Sequence, residues 1–324
     1  MDGSEITRWL LEGDPSIRWQ VKANLLDADP ADVAAERARV SSDGWGAELL
    51  SRQDAEGTWA GGAYNPKWTS TFYTLVLLRQ LGLEPGEPRA ARGMQILLDR
   101  GLRADGGLNY VTSVRGRPVS GETCITGMGL ALGARFLPAF AGLEPLVANL
   151  IREQMADGGW NCQRSNGATH SSFHTTISAL DGIQEWEART GELSPELASA
   201  RSRCHEFLFA HSLYQSHTTG RHAFPGIARF PFPPQWRYDM LRGLDYLQSV
   251  GAPRDPRVIP AIDLLLRARK SDGRWHARAP YRGASWIQVE RAGEPGRWNT
   301  LRALRVLRWW DVRSESDAAC GTAA

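Results

Sequence analysis

Short apolar runs along this chain end in the same way three times. Leu49-Leu50, Leu150-Ile151 and Leu264 to Leu266 each close a helix-like segment, and each leads through a polar turn to a tryptophan. The three copies, LLSRQDAEGTW ending at Trp59, LIREQMADGGW at Trp160 and LLRARKSDGRW at Trp275, align without gaps. Gly57, Gly158 and Gly273 stand two positions before the tryptophans. Gln53 and Gln154 stand six before, a place that Arg269 takes in the third copy. A weaker copy, LLDRGLRADGGL, has Leu108 at the tryptophan position. The intervals from Trp59 to Leu108 and from Leu108 to Trp160 are about 50 residues, the length of a two-helix unit with its connections. Trp160 to Trp275 spans about two such units and an insertion. Each copy reads as a helix end. Glycine takes the left-handed cap without steric cost, the tryptophan folds back over the helix, and the glutamine reaches the unpaired terminal groups.

A second helix follows each turn. Its beginnings are PKWTSTFYTLVLL, SGETCITGMGLAL, HSSFHTTISALDGI, PQWRYDMLRGLDYL and GRWNTLRALRVLRWW. An earlier one, DPSIRWQVKANLL, opens with Asp14 as cap and Pro15 at the first helical position. More polar helices lie between, as at Pro88 to Leu102, Glu144 to Met155, Pro195 to Leu213 and Pro256 to Lys270. Six antiparallel pairs closing into a ring predict an all-α fold, an (α/α)6 toroid, with the more apolar and aromatic helices inside around a cavity. The ring would span residues 1–312 as one domain. The proline- and aromatic-rich stretch 216–234 would be an insertion over one mouth, and 313–324, small and polar, a disordered tail.

Composition narrows the classes. The chain has 324 residues, 42% hydrophobic and 23% charged, with a net charge of +2, which lacks the concentrated basic face of a nucleic-acid binder. No run reaches ~18 apolar residues, so no membrane-spanning helix is expected. The charged N-terminus has no apolar core of a secretory signal. The four cysteines, Cys124, Cys162, Cys204 and Cys320, show no paired zinc-finger spacing. These features predict a reducing, cytoplasmic setting. No glycine-rich phosphate loop and no serine nucleophile elbow is present.

The Q-x3-G-x-W spacing at Gln53 to Trp59 and Gln154 to Trp160 resembles the QW motif of the squalene and oxidosqualene cyclase superfamily, and the resemblance covers essentially the whole chain. The D-x-D-D acid of squalene cyclases is missing, and the length allows one toroid rather than two. The other one-toroid branch is the protein prenyltransferase β subunit, which holds zinc on a D-x-C at one inner helix and a His in a Y-H-T context on a later one. Glu122-Thr123-Cys124 and Phe173-His174-Thr175 stand at such helix starts here. Anchored on Leu130 and Leu180, Cys124 and His174 fall at equivalent positions of neighbouring repeats. The resemblance thus implies zinc on Glu122, Cys124 and His174. Glu replaces the family's Asp, which leaves Cys162, Asp157 or His170 open as third ligand. Taken singly, a cysteine at a helix start is a small buried residue and a histidine a hydrogen-bonded structural one.

The same register places Tyr238, Trp298 and Thr69 at equivalent helix starts, with Trp236, Arg237 and Asp239 beside the first, Arg297 beside the second and Trp68 beside the third. Arg18 and Trp19 take a similar place in the first unit. Aromatic faces suit an isoprenoid chain or a developing cation, Arg a diphosphate or carboxylate, and a Tyr238–Asp239 pair a proton relay. Arg302, Arg305 and Arg308 read as a solvated helical face. The resemblance implies prenyl or alkyl transfer on an apolar, isoprenoid-like substrate. Two alternatives are a metal-independent cyclase or isomerase with Asp239 as acid, and a non-catalytic toroid binding a lipid or peptide. A protein partner is left open.

Overall fold

A computed structural model describes residues 3–114, 116–139 and 142–311. The fold is all-α. Beyond helices and turns, the described residues hold one two-stranded hairpin, β1 (Ser113–Val114) with β2 (Arg117–Pro118), and a few isolated bridges. The predicted tail lies outside the described residues.

Six inner helices run parallel: α2 (Pro15–Asn24), α5 (Thr71–Leu81), α7 (Thr123–Phe136), α9 (Phe173–Thr190), α11 (Met240–Ser249) and α13 (Arg297–Asp311). Their neighbours are joined in order around a circle. α5 packs on α7, α7 on α9, α11 on α13, and α13 returns to α2. Arg242 reaches Asp181 from α11 to α9, and the Trp19 indole donates to the Leu81 carbonyl from α2 to α5. Outside them stand α1 (Gly3–Leu11), α4 (Gly44–Ser51), α6 (Pro88–Gly101), α8 (Glu144–Glu153), α10 (Pro195–Ala210) and α12 (Ile259–Arg267), with α3 (Pro30–Ala38) as an extra helix in the second unit. The ring of six pairs is as the repeat predicts, and Asp14 caps α2 with Pro15 following it.

The tryptophan turns are one device built three times. The indole N–H of Trp59, Trp160 and Trp275 donates to the carbonyl of Leu49, Leu150 and Leu265, ten residues back at the end of the outer helix, at 2.7–2.8 Å. The same residue's backbone N–H donates to a threonine hydroxyl in the following inner helix, Thr71, Thr176 or Thr300. Leu108 keeps that second bond, to Thr126. Gln53 and Gln154 bond both their own turn and the next outer helix, at Arg89 and Ala200. All three tryptophans are buried. Gly158 shows why its position takes glycine: φ is +95°, and a Cβ there would stand 2.4 Å from the Arg203 carbonyl oxygen of α10. Gly127 in α7 meets the backbone of Ser178 in α9 as closely, so these two inner helices touch main chain to main chain.

The ring's centre differs from the expectation of an apolar hollow. Arg79 pairs with Asp181 at 3.0 Å and with Glu185 at 3.1 Å, Arg242 with Asp181 at 2.6 Å, and Arg135 with Glu185 at 3.4 Å. Asp245 holds Arg302 and Arg305. Arg302 is 4% exposed, so Arg302 and Arg305 do not form the expected solvated face: they point across the ring, where Asp245 of α11 and Gln20 of α2 receive them, while Arg308 stays partly exposed and pairs with Asp27. These ions, with Trp19, Tyr246, Phe232 and Trp298, enclose a central cavity of about 250 Å³.

The turn device generates a stability prediction. Trp160→Ala should cost about 3–5 kcal/mol. Thr176→Val, which only strips the hydroxyl from the Trp160 N–H, should cost roughly 1–3 kcal/mol. Urea unfolding measures both, and a Thr176→Val variant as stable as the parent would refute the clamp.

Candidate functional site at the mouth of the ring

All inner helices begin at one end, and two long connections fold over it. In the first, residues 216–234, Phe232 stacks on Trp298 at 4.1 Å, and the Ile227 carbonyl accepts from the Met240 backbone N–H. The second connection, 268–296, was not singled out by sequence. It is pinned across the mouth by two indoles, Trp68 donating to the Arg282 carbonyl and Trp286 to the Thr69 carbonyl.

Between the two connections lies a hollow of about 430 Å³ lined by His174, Phe224, Arg229, Arg237, Tyr281 and Arg282 among others, and none of its described lining residues is Asp or Glu. Arg237 is clamped by aromatic faces, its guanidinium 4.7 Å from Trp236 and 4.5 Å from Tyr281, an arrangement that holds the cation without neutralising it. Its Nε is buried without a partner. Of this set, sequence reasoning named His174, Trp236 and Arg237. It missed Phe224, Arg229, Tyr281 and Arg282, although the first and third stand in the pattern of Pro beside aromatic and Arg that marks both connections.

His174 sits at the start of α9 with Phe224 and Trp236 around it. Its Nδ1 accepts from the Tyr238 backbone N–H at 2.8 Å. A backbone N–H can only donate, so Nδ1 carries the lone pair and Nε2 the hydrogen. Burial, reinforced by Arg237 and Arg242, lowers the imidazole to about 4, so it is neutral near pH 7. His174 is therefore a hydrogen-bond donor facing the hollow.

That tautomer bears on the metal expected from the resemblance. Neither ring nitrogen of His174 has a lone pair to give zinc. Among the described residues no three His, Cys, Asp or Glu side chains converge as a metal site. Glu122 and Cys124 do meet, Oε2 to Sγ at 3.9 Å, and Cys162 hydrogen-bonds Cys124. The bond from Cys124 holds Cys162 down to about 6, while that bond and burial push Cys124 up. Asp157, another candidate, binds the Ser171 backbone and hydroxyl, and His170 is exposed at the rim. The set Glu122, Cys124 and His174 does not fit a zinc centre in this arrangement.

The other candidates divide. The Tyr238 hydroxyl donates to the Leu213 carbonyl, so it forms no relay with Asp239. Asp239 caps α11 through Oδ1, lies 3.8 Å from Arg302, and keeps Oδ2 buried without a partner. Burial pushes its carboxyl above the usual range despite Arg302 and Arg242. Trp298 is buried with its Nε1 unpartnered. Arg297 stacks on Trp9 and bonds its carbonyl, and Arg18 pairs with Glu36 and the Gly13 carbonyl, so both hold helices together. Trp19 reaches the C-terminal end of α5, away from the helix starts, because its indole finds the Leu81 carbonyl there.

The fold and this end of it define a class, a closed all-α ring with ligand-sized hollows at one mouth. No family model and no curated protein matches the chain. Among solved structures, it is similar to a protein from Actinoplanes, at 18% identity over 95% of this chain and 99% of that one, with a TM-score of 0.49. It is also similar to the type II terpene cyclase MstE from Scytonema without ligand, at 15% identity over 84% of this chain and 97% of that one, with a TM-score of 0.36. The same cyclase in complex with merosterolic acid A, a product, gives 14% identity, 85% and 96% coverage and a TM-score of 0.32. None of the described helices is long and apolar enough to cross a membrane.

Two buried histidines generate a pH prediction. His174 and His205 are each lowered to about 4, mainly by burial. The unfolded chain takes up these protons first, near the ordinary value of about 6.5. The stability they contribute is full above that value and is lost as pH falls toward 4. Unfolding free energy measured across this window should fall less steeply in His174→Gln/His205→Gln, by up to about two protons. Parallel curves for parent and variant would contradict the assignment.

Proposed function

We propose that this protein handles a small amphiphilic substrate at the mouth of its ring, holding an anionic head on Arg229, Arg237 and Arg282 with the Nε2–H of His174. The apolar part lies against Phe224 and Tyr281. One observation carries this reading: the hollow gathers three arginines and no carboxylate, whereas the arginines of the ring's centre are paired with acids. Fixed guanidinium groups match phosphate or carboxylate oxygens in pairs. An isoprenoid-like tail remains compatible, provided that it ends in such a head. Titration calorimetry with inorganic pyrophosphate and with dodecyl phosphate tests it. Both should bind, dodecyl phosphate more tightly, and Arg237→Ala should weaken each roughly tenfold or more. Binding unchanged in Arg237→Ala, or none at millimolar ligand, would reject the site.

A second reading adds acid chemistry without a metal, as in a cyclase or isomerase. It is favoured by Asp239, whose burial shifts the carboxyl toward its protonated form and whose Oδ2 has no partner. A carboxyl shifted upward by burial is the kind of group that gives a proton to an apolar substrate. Asp239→Asn keeps the cap on α11 and should leave pyrophosphate binding intact while removing any turnover of an isoprenoid diphosphate. Turnover retained in that variant would exclude the acid.

A further inference from the structure

Beside the anion hollow, on the other side of His174 and Phe224, lies a second one of about 440 Å³, which His170, His211, His217 and Ser172 help to line. Two of these histidines have proton positions dictated by their partners. His211 follows the C-terminus of α10, and its Nδ1 lies 2.7 Å from the Phe207 carbonyl oxygen. A carbonyl only accepts, so Nδ1 carries the hydrogen and Nε2 of the neutral ring carries the lone pair. That Nε2 is 2.8 Å from Nδ1 of His217. Nδ1 of His217 must then be the donor, and its Nε2 is left with a lone pair on an exposed ring. Burial favours the neutral form of His211, Asp157 being the carboxylate that acts on it in the opposite sense. The turn that presents His217 is itself held, by Ser216 N–H to the Arg221 carbonyl and Gly220 N–H to the Ser216 carbonyl, each 2.8 Å, and by a bridge between Gln215 and His222.

We infer that Nε2 of His217 is a proton-accepting site, made more basic and oriented by His211, for a hydroxyl group or water lodged in this second hollow. The arrangement is a relay of the kind in which a second group fixes the tautomer of a basic imidazole and shares the charge that arrives. It rests on the preceding reading only for the electrophile, an anionic ligand held at Arg237. In the step, the O–H bond of the hydroxyl or water breaks and its electron pair forms the new bond from oxygen to the ligand's electrophilic carbon or phosphorus. The proton goes to Nε2 of His217. The bond from that carbon or phosphorus to the ligand's leaving oxygen breaks, its electron pair and the negative charge go to that oxygen, and nothing is oxidised or reduced. His174, whose Nε2 bears a hydrogen, lines the same hollow and is a donor for that oxygen.

The test uses the full chain and needs no identified substrate. Long-range nitrogen–proton NMR on histidine-labelled protein should show the Nδ1–H tautomer at both His211 and His217. Diethyl pyrocarbonate at pH 7, with each histidine followed by mass spectrometry, should modify His217 roughly fivefold or more faster than the exposed His222. His211→Ala should slow His217 by roughly threefold or more, and His211→Gln, whose amide oxygen accepts the Nδ1–H, should recover most of the rate. Hydrolysis of p-nitrophenyl acetate should fall roughly fivefold in His217→Ala with the far-ultraviolet spectrum unchanged. An Nε2–H tautomer at His217, or a His217 rate indifferent to His211, would overturn the inference. A reactive His217 in a protein that binds no pyrophosphate would uphold this site and remove the anion reading. Pyrophosphate binding with an unreactive His217 would do the reverse.

Discussion

The hydrogen bond from a turn tryptophan to the carbonyl ten residues behind it is the contact on which the ring depends. A helix end leaves carbonyls without partners, and a buried one is costly. The indole satisfies one of them while burying the largest side chain available, and its own backbone N–H is taken by a threonine of the next inner helix. Outer helix, turn and inner helix are thus fixed to one another within each unit. The turn also touches the outer helix of the following unit, through Gln53 and Gln154 and through the close approach at Gly158. The last turn meets the first helix: Gly273 lies against Ile6, and Arg274 stacks on Trp9. The same contact that joins neighbours therefore closes the circle.

Closing six parallel helices forces their inward faces together, and this chain fills the meeting place with ions. Arg79, Arg135 and Arg242 share Asp181 and Glu185, while Arg302 and Arg305 share Asp245. Such charges stay buried only because each is bonded to an opposite one. They leave a small, polar centre, so room for a ligand is found at the mouth, where two proline-rich connections stand off from the helix starts. Arg237 there has aromatic neighbours rather than acids.

Two histidines of the mouth, His174 and His217, show how hydrogen-bond partners assign chemistry to identical side chains. His174 faces a backbone N–H and becomes a donor to the hollow. His217 faces the lone pair of His211, which itself faces a carbonyl, and becomes an acceptor. The two roles lie against one cavity.

The repeat was legible because its causes are local. Glycine at a left-handed cap, an aromatic ten residues after a helix carbonyl and a proline behind an Asp cap each leave a mark at fixed spacing, and those marks were enough for six helix pairs. What lay beyond them required distant residues to meet. The run Arg302, Arg305 and Arg308 has the spacing of a solvated face, and Asp245, about 60 residues earlier, with Gln20 of α2, turns the first two inward. His174 carries a ligand's residue type in a ligand's register, yet the N–H of Tyr238, 64 positions on, takes the lone pair that a metal would need. Residue type and period determined the ring. Which atom carries a proton, and which cation keeps its charge, was decided by partners that only the closed ring brings within 3 Å.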